Sequence, residues 1–281
     1  MDERITNRSK SFRKEKILIA LLFFLLFFFF AAPAATANAY NRTSAVVLMN
    51  AETGEILYEE NANVKMEIAS TTKILTAITV IENSDLFQWV TVPKQAVGVE
   101  GSSIYLRKGE NWRVLDLLYG LMLRSGNDAA TALAIITAGS VEGFCAMMNE
   151  TAIKAGAENS HFTNPHGLHD ADHYATAKDL ALITKYAFDC PIFQTICKTK
   201  VYNATKKVGG FDVKVTFYNK NKLLYSYPYA TGVKTGYTTH SGRCLVSSAQ
   251  KDGVHLICVT LNVYDTYGVS KGLFERYFQE V

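Results

Sequence analysis

Three features of this 281-residue chain predict an α+β fold in which an antiparallel sheet carries helices on its faces. Apolar residues alternate with period two just after residue 44, recur at helical spacing from about residue 70 to 188, and return to period two after about residue 201 before a last amphipathic helix. Strands at both ends of the chain with helices between them pair most simply as one sheet, the N-terminal hairpin lying beside the C-terminal strands.

The elements follow in order. Met1 to Lys16 carries six Lys or Arg against three Asp or Glu, Ile17 to Ala32 is apolar throughout, and small residues follow. This reads as an export signal, with cleavage after Ala37 or Ala39. An uncleaved anchor is the competing reading, but sixteen apolar residues closed by Pro33 fall short of the roughly 20 that span a bilayer. Residues 1-39 are therefore assigned as signal and 40-281 as one domain. Ser44 to Asn50 and Glu55 to Glu59 form a hairpin around Ala51-Glu-Thr-Gly54. Helices are expected from Ser70 to about Glu82, Val114 to Leu123, Asp128 to Thr137, Val141 to Ala155 and Ala177 to Phe188. The last opens with Thr176-Ala-Lys-Asp179, a capping-box pattern. Strands follow from about Val201, at Phe211 to Tyr218, Ala230 to Thr235, Gly242 to Ala249 and Val254 to Val263, and a helix from about Tyr267 to Phe278 closes the fold.

Composition narrows function. The chain holds 29 Lys plus Arg and 26 Asp plus Glu; without the signal's six and three, 23 of each remain. A mature domain of zero formal charge gives no reason to expect a nucleic-acid partner. Five cysteines lack any C-x-x-C spacing. Cys244 and Cys258 flank the turn at Lys251 to Gly253 almost symmetrically, so a hairpin disulfide there is one possibility, and burial as small apolar residues is the other. His161, His166, His169, Asp170, Asp172 and His173 crowd one stretch, but Pro165 and Gly167 interrupt it and no metal-ligand spacing appears. No metal and no other cofactor is expected.

The chemistry starts at Ser70-Thr-Thr-Lys73. Residues three apart share a helix face, so Lys73 can take the proton of Ser70 if burial or a nearby cation lowers its pKa. Ser11-Phe-Arg-Lys14 and Ser248-Ala-Gln-Lys251 share the spacing without the helical context. Ser125-Gly-Asn127 lies in a helix-to-helix loop, and Lys234-Thr-Gly236 ends a strand, where glycine admits a second chain and a lysine beside a hydroxyl suits a carboxylate.

Together these three motifs resemble those of the penicillin-binding proteins and serine β-lactamases. Leu123 to Ala130, Asn164-Pro-His-Gly-Leu-His169 and Gly232 to Thr238 bring the resemblance to the low-molecular-mass D-alanyl-D-alanine carboxypeptidases, over about residues 45 to 278. It implies an all-helical lobe, roughly residues 80-200, with the site between lobe and sheet. By motif, Ser70 is the nucleophile, Lys73 its base and Ser125 a proton relay. Asn127 orients substrate or Lys73, and Lys234 with Thr235 and Gly236 receives the terminal carboxylate. The Ser70 and Tyr237 N–H groups would form the oxyanion hole. The implied partners are a peptidoglycan stem peptide and, as acylating inhibitors, β-lactams.

Two lysines in one site raise each other's cost of charge, and Lys73 is expected to be the neutral one because Lys234 has the substrate carboxylate as counter-ion. A chain ending at Val281 leaves membrane attachment uncertain, and a freely diffusing exported enzyme is expected if the signal is cleaved. A β-lactamase and a non-catalytic penicillin-binding sensor or scaffold are the alternatives. The first is disfavoured by the lack of a Glu-x-x-x-Asn stretch between Ser125 and Lys234, the second by the lack of a fused signalling segment. Transfer of the acyl group to an amine is a further possible outcome of the same site.

Overall fold

A computed structural model describes residues 43–279. The expected signal peptide and its cleavage site lie outside them. Strands β1 (Ala45–Asn50), β2 (Ile56–Glu60), β7 (Ala230–Thr238), β8 (Gly242–Lys251) and β9 (Val254–Leu261) form one antiparallel sheet in the order β2-β1-β9-β8-β7. The terminal hairpin thus pairs with the C-terminal strands through β1 and β9, with Val47 opposite Val259.

Strand alternation divides the interior in two. Val47, Met49, Ile257 and Val259 point into the larger core, whereas Leu48, Leu256 and Cys258 point to the other face, where they meet Leu223, Tyr227 and Phe274. Helices α1 (Lys73–Asn83), α2 (Val114–Arg124), α3 (Asn127–Ala138), α4 (Val141–Lys154), α5 (Ala177–Phe188) and α6 (Pro191–Lys198) follow the hairpin. Of these, α5 packs on β1 and β9 from the larger-core side. The short α7 (Leu223–Ser226) precedes β7, and α8 (Thr266–Tyr277) covers β8 and β9 on the opposite face.

The expected helix and strand bounds hold to within three residues, and Thr176 caps α5 by accepting from the Asp179 N–H at 3.0 Å. The reciprocal half of that box is absent, because the Asp179 carboxylate instead accepts from Asn159 N and Ser160 Oγ.

One expectation needs correction, and one pair of alternatives is decided. A second sheet exists, of order β3-β4-β5-β6, built from β3 (Trp89–Thr91), β4 (Asn111–Arg113), β5 (Val201–Val208) and β6 (Phe211–Tyr218). Strands of three residues are too short to show a period, so β3 and β4 were illegible, and β5 and β6 were assigned to the wrong sheet. The hairpin disulfide does not form: all five cysteines are free thiols. Cys258 lies opposite Ser247 and Cys244 opposite Leu261. An offset of three residues sends the two side chains to opposite faces of the sheet, and burial raises both thiols, to about 11 for Cys244 and about 12 for Cys258.

Among the described residues no single helix is long and apolar enough to cross a membrane.

Candidate active site

Ser70 does not open an α-helix directly. It sits in a 3₁₀ turn, Ala69–Thr72, that runs into α1 at Lys73, and Ala69 before it has φ +47°. The tighter turn still places the two side chains together, with Lys73 Nζ 2.9 Å from Ser70 Oγ.

Lys73 is fully buried and has two further partners, Asn127 Oδ1 and the His166 carbonyl oxygen, each at 2.7 Å. Burial, then the charges of Lys234 and Lys220, hold its pKa well below the ordinary lysine value against an opposing pull from Asp128. A neutral amine has two N–H donors and one lone pair. The two carbonyl oxygens take the donors, which leaves the lone pair facing the Ser70 hydroxyl, the arrangement a general base needs.

Asn127 begins α3, and both ends of its carboxamide are engaged: Oδ1 accepts from Lys73 and Nδ2 donates to Glu100 O at 2.6 Å. Its backbone N–H donates to Ser102 O at 2.7 Å. In this geometry Asn127 orients Lys73. Gly101 admits it, since a Cβ there would stand 2.7 Å from Asn127 Nδ2. The neighbouring Asp128 carboxylate is buried and accepts from Ser103 Oγ and from the N–H groups of Ile104 and Leu106, which pins residues 100–106 over α2. Ser125 lies between α2 and α3 with left-handed backbone (φ 62°), almost fully buried, and its hydroxyl has no hydrogen-bond partner among the described residues.

The other side of the cleft is β7, the outer strand of its sheet. Lys234 is buried, donates to the Thr235 carbonyl oxygen at 2.9 Å, and is brought down to about 7 by burial and by Lys220. Lys220 itself donates to Ser102 Oγ at 3.1 Å, and burial followed by Arg124 lowers it. Gly236 lets β7 lie against the serine turn: a Cβ there would be 3.1 Å from both Ile68 O and Ser70 N. Tyr237 is two-thirds exposed beside it.

The structure therefore brings Ser70, Lys73 and Asn127 into direct contact, with Ser125 next to Asn127 in sequence, Lys234 within electrostatic reach of Lys73, and Gly236 against the serine turn.

Sequence reasoning missed the residues that hold this set in place. Asn164 Oδ1 accepts from His166 N and Gly167 N, and Asn164 Nδ2 donates to Leu168 O, so one side chain shapes the loop that presents the His166 carbonyl. Thr76 Oγ1 donates to Pro165 O at 2.7 Å. Gly167 has φ +82°, and a Cβ there would fall 1.9 Å from Ala69 O. His173 accepts from Thr163 N at Nδ1, which places its proton on Nε2, 2.8 Å from Thr72 Oγ1; that hydroxyl in turn donates to Ala69 O. Burial lowers His173 to about 4 and, with Lys73, lowers His166 to about 3. Asn164-Pro-His-Gly-Leu-His169 stands out in the sequence, yet loop hydrogen bonds leave no periodic signal.

The histidine run is not one ligand set. His166 and His173 face the serine turn and His161 bonds the Asp172 carbonyl oxygen. Among the described residues, His169 alone of this run joins a cluster of ligand-type side chains, with Glu67 and His240.

A model of the D-alanyl-D-alanine carboxypeptidase family matches residues 32–265. The chain is 35% identical over 230 residues to the D-alanyl-D-alanine carboxypeptidase DacF of Bacillus subtilis (strain 168), covering 80% of this chain and 58% of that protein. It is 37% identical over 227 residues to the D-alanyl-D-alanine carboxypeptidase of Streptomyces sp. (strain K15), covering 76% and 78%. Among solved structures, a point mutant of the Streptomyces DD-transpeptidase superposes with TM-score 0.79 at 34% identity, over 84% of this chain and 97% of that one. DacD from Francisella tularensis gives 0.74 at 29% identity, over 83% and 69%. The chain spans little more than half the length of several curated relatives that it matches, 58% of DacF among them.

Proposed function

Since the chain belongs to the D-alanyl-D-alanine carboxypeptidase family, we propose that it removes the terminal D-alanine from peptidoglycan pentapeptide stems by a serine acyl-enzyme route. The observation that carries the mechanism is the pair of carbonyl oxygens at 2.7 Å that leave the Lys73 lone pair to Ser70.

The substrate's C-terminal carboxylate pairs with Lys234 and keeps it charged beside a neutral Lys73. Ser70 Oγ passes its proton to Lys73 Nζ and attacks the carbonyl carbon between the two D-alanines. The oxyanion is held by the N–H groups of Ser70 and Tyr237, at the contact that Gly236 makes close. As the C–N bond breaks, the proton moves from Lys73 through the Ser125 hydroxyl to the departing amine, and D-alanine leaves. Water then attacks the ester carbonyl carbon as Lys73 takes its proton, the bond from that carbon to Ser70 Oγ breaks to free the shortened peptide, and Lys73 returns the proton to Ser70 Oγ. Asn127 acts on Lys73 in each step by fixing its amine.

An outer strand with one free edge also suits the substrate, because a peptide can lie alongside β7. β-Lactams acylate Ser70 by the same attack. Transfer to an amine acceptor uses the same intermediate, and the similarity to the Streptomyces DD-transpeptidase favours testing it. Export through the N-terminal segment and action outside the cytoplasm belong to the same proposal.

The test is release of free D-alanine from a pentapeptide ending in D-Ala-D-Ala, by the wild type and by Ser70→Ala, with labelled penicillin run in parallel. Release that depends on Ser70 supports the reading. Stable labelling without release, in the presence or absence of an amine acceptor, replaces it with a binding role.

A further inference from the structure

At the rim of the cleft three side chains from three separate segments converge. Glu67 precedes the serine turn, His169 ends the loop that supplies the His166 carbonyl, and His240 lies on the turn from β7 to β8. His169 Nδ1 stands 2.9 Å from Glu67 Oε1, and His240 Nδ1 stands 3.9 Å from the same oxygen. The two imidazoles stack with centroids 4.2 Å apart and planes within 8°. One ligand atom from each residue lies within 4.8 Å of the other two.

A hydrogen bond from His169 to Glu67 explains the shorter distance and leaves His240 unexplained, since 3.9 Å is beyond hydrogen-bond range. Protonating both rings would stack two cations face to face on a single carboxylate. A divalent ion resolves both points, because it accepts two neutral imidazole nitrogens and one carboxylate oxygen at once.

The distances suit a zinc-like ion. Zinc bonds of about 2.0–2.2 Å in a tetrahedron put neighbouring ligand atoms about 3.4 Å apart, a value that falls between the two separations from Glu67 Oε1. Closing the third edge needs the imidazoles to splay from their stack, and both side chains are about half exposed to solvent.

The backbones beneath are held more firmly. The buried Cys244 thiol lies under the carbonyl oxygens of both Glu67 and Ser241, at 4.0 and 3.8 Å. Ser241 and Thr238 bond each other reciprocally across the turn that carries His240. Two of the three ligands thus stand on a common support.

We propose that Glu67, His169 and His240 bind one divalent ion of the zinc class through Oε1 and the two Nδ1 atoms, with the fourth position open to water or to an oxygen of a bound ligand. The ion ties the segment before Ser70, the 164–169 loop and the β7–β8 turn to one another. The site is separate from the serine chemistry, which needs no metal.

The test uses the full chain, freed of metal and titrated with zinc chloride by calorimetry in a non-chelating buffer, then with cobalt(II) by visible absorption. The expected result is one ion per chain, a cobalt spectrum of four-coordinate intensity, and a thermal midpoint that rises with zinc. His240→Ala and Glu67→Gln should each weaken zinc at least about tenfold, and His161→Ala, which changes a histidine outside the cluster, should leave it unchanged. His161, His169 and His240 are exposed and Glu67 is partly so, and circular dichroism checks that each variant is folded. No binding up to about 1 mM zinc, or undiminished binding by a folded His169→Ala/His240→Ala double variant, overturns the proposal. Neither result depends on D-alanine release, so the site and the reaction stand or fall separately.

Discussion

Ser70 is held between two walls of different construction. On one side lies β7, whose position is set by an eight-pair register with β8 and whose approach to the serine turn depends on Gly236. On the other lies the 164–173 loop, with no ladder, positioned by Asn164, Thr72, Thr76 and His173 through hydrogen bonds among buried or half-buried groups. The strand wall is built by repetition, so each residue's share of the work is small. The loop wall is built from single contacts, and each carries a large part of the geometry.

That contrast predicts unequal responses to the same change. Gly167→Ala should have the largest effect: its Cβ would meet a backbone oxygen at 1.9 Å from a left-handed residue, so the loop must move by more than an ångström and the His166 carbonyl with it. Acylation by labelled penicillin should fall by more than about 100-fold, with a loss of stability above about 3 kcal/mol in urea unfolding. Acylation at the wild-type rate would show the loop to be compliant and the comparison mistaken.

Gly236→Ala tests the strand wall by the same assay. Its added carbon would have neighbours at 3.1 Å, a shift of a few tenths of an ångström, so acylation should slow by about tenfold, with stability changed by less than about 1 kcal/mol. A larger effect than that of Gly167→Ala would reverse the order of the two walls.

The lysines distinguish the walls by pH. Lys234 titrates near 7 in the free protein, so kcat/KM for a substrate with a terminal carboxylate should fall about tenfold per unit once pH passes that value. Activity should also fall as pH drops and Lys73, depressed by burial and by Lys234, takes up its proton. Replacing Lys234 with Gln should remove the alkaline limb and leave the acidic one. An acidic limb unchanged by replacing Lys73 would remove Lys73 from the role of base.

The loop wall's titrating support acts on stability and leaves the reacting groups alone. His173 has a folded pKa of about 4 against about 6.5 unfolded. The unfolded chain therefore takes the proton first, and the contribution of His173, whole above pH 6.5, is lost as pH falls towards 4. The expected slope is up to about 1.4 kcal/mol per pH unit. His173→Gln, whose amide can still donate to Thr72, should flatten the urea-midpoint profile between pH 6.5 and 4, and an unaltered profile would assign the acid sensitivity to other groups.

The same contrast explains what the sequence made legible. The strand wall announced itself: period two marked β7, β8 and β9, Lys234-Thr-Gly236 named its working end, and glycine in the strand signalled a close approach. Ser70, Lys73 and Ser125-Gly-Asn127 were visible because chemistry constrains their types and spacings together. The loop wall had no period, and its histidines looked like a failed metal run when His166 works through a carbonyl oxygen and His173 through a neutral ring. Glu67 and His240 lie far from His169 in sequence, so no spacing rule joins them. β3 and β4 escape because three residues carry no pattern, and the sequence leaves the cysteines open between a disulfide and burial because near symmetry about a turn does not fix the register, which is here off by an odd number.

The division of the interior by the central sheet has a kinetic consequence. Helix α8 rests on the smaller apolar cluster, around Phe274, Leu48 and Cys258, while α1 and α3 are embedded in the larger one. Little buried surface must be exposed to lift α8 away, so its amides should exchange with solvent deuterium through a partial opening well before those of α1 do. Such an opening uncovers β8 and β9 from the side away from the serine turn. The catalytic half can remain assembled while the far side of the molecule breathes.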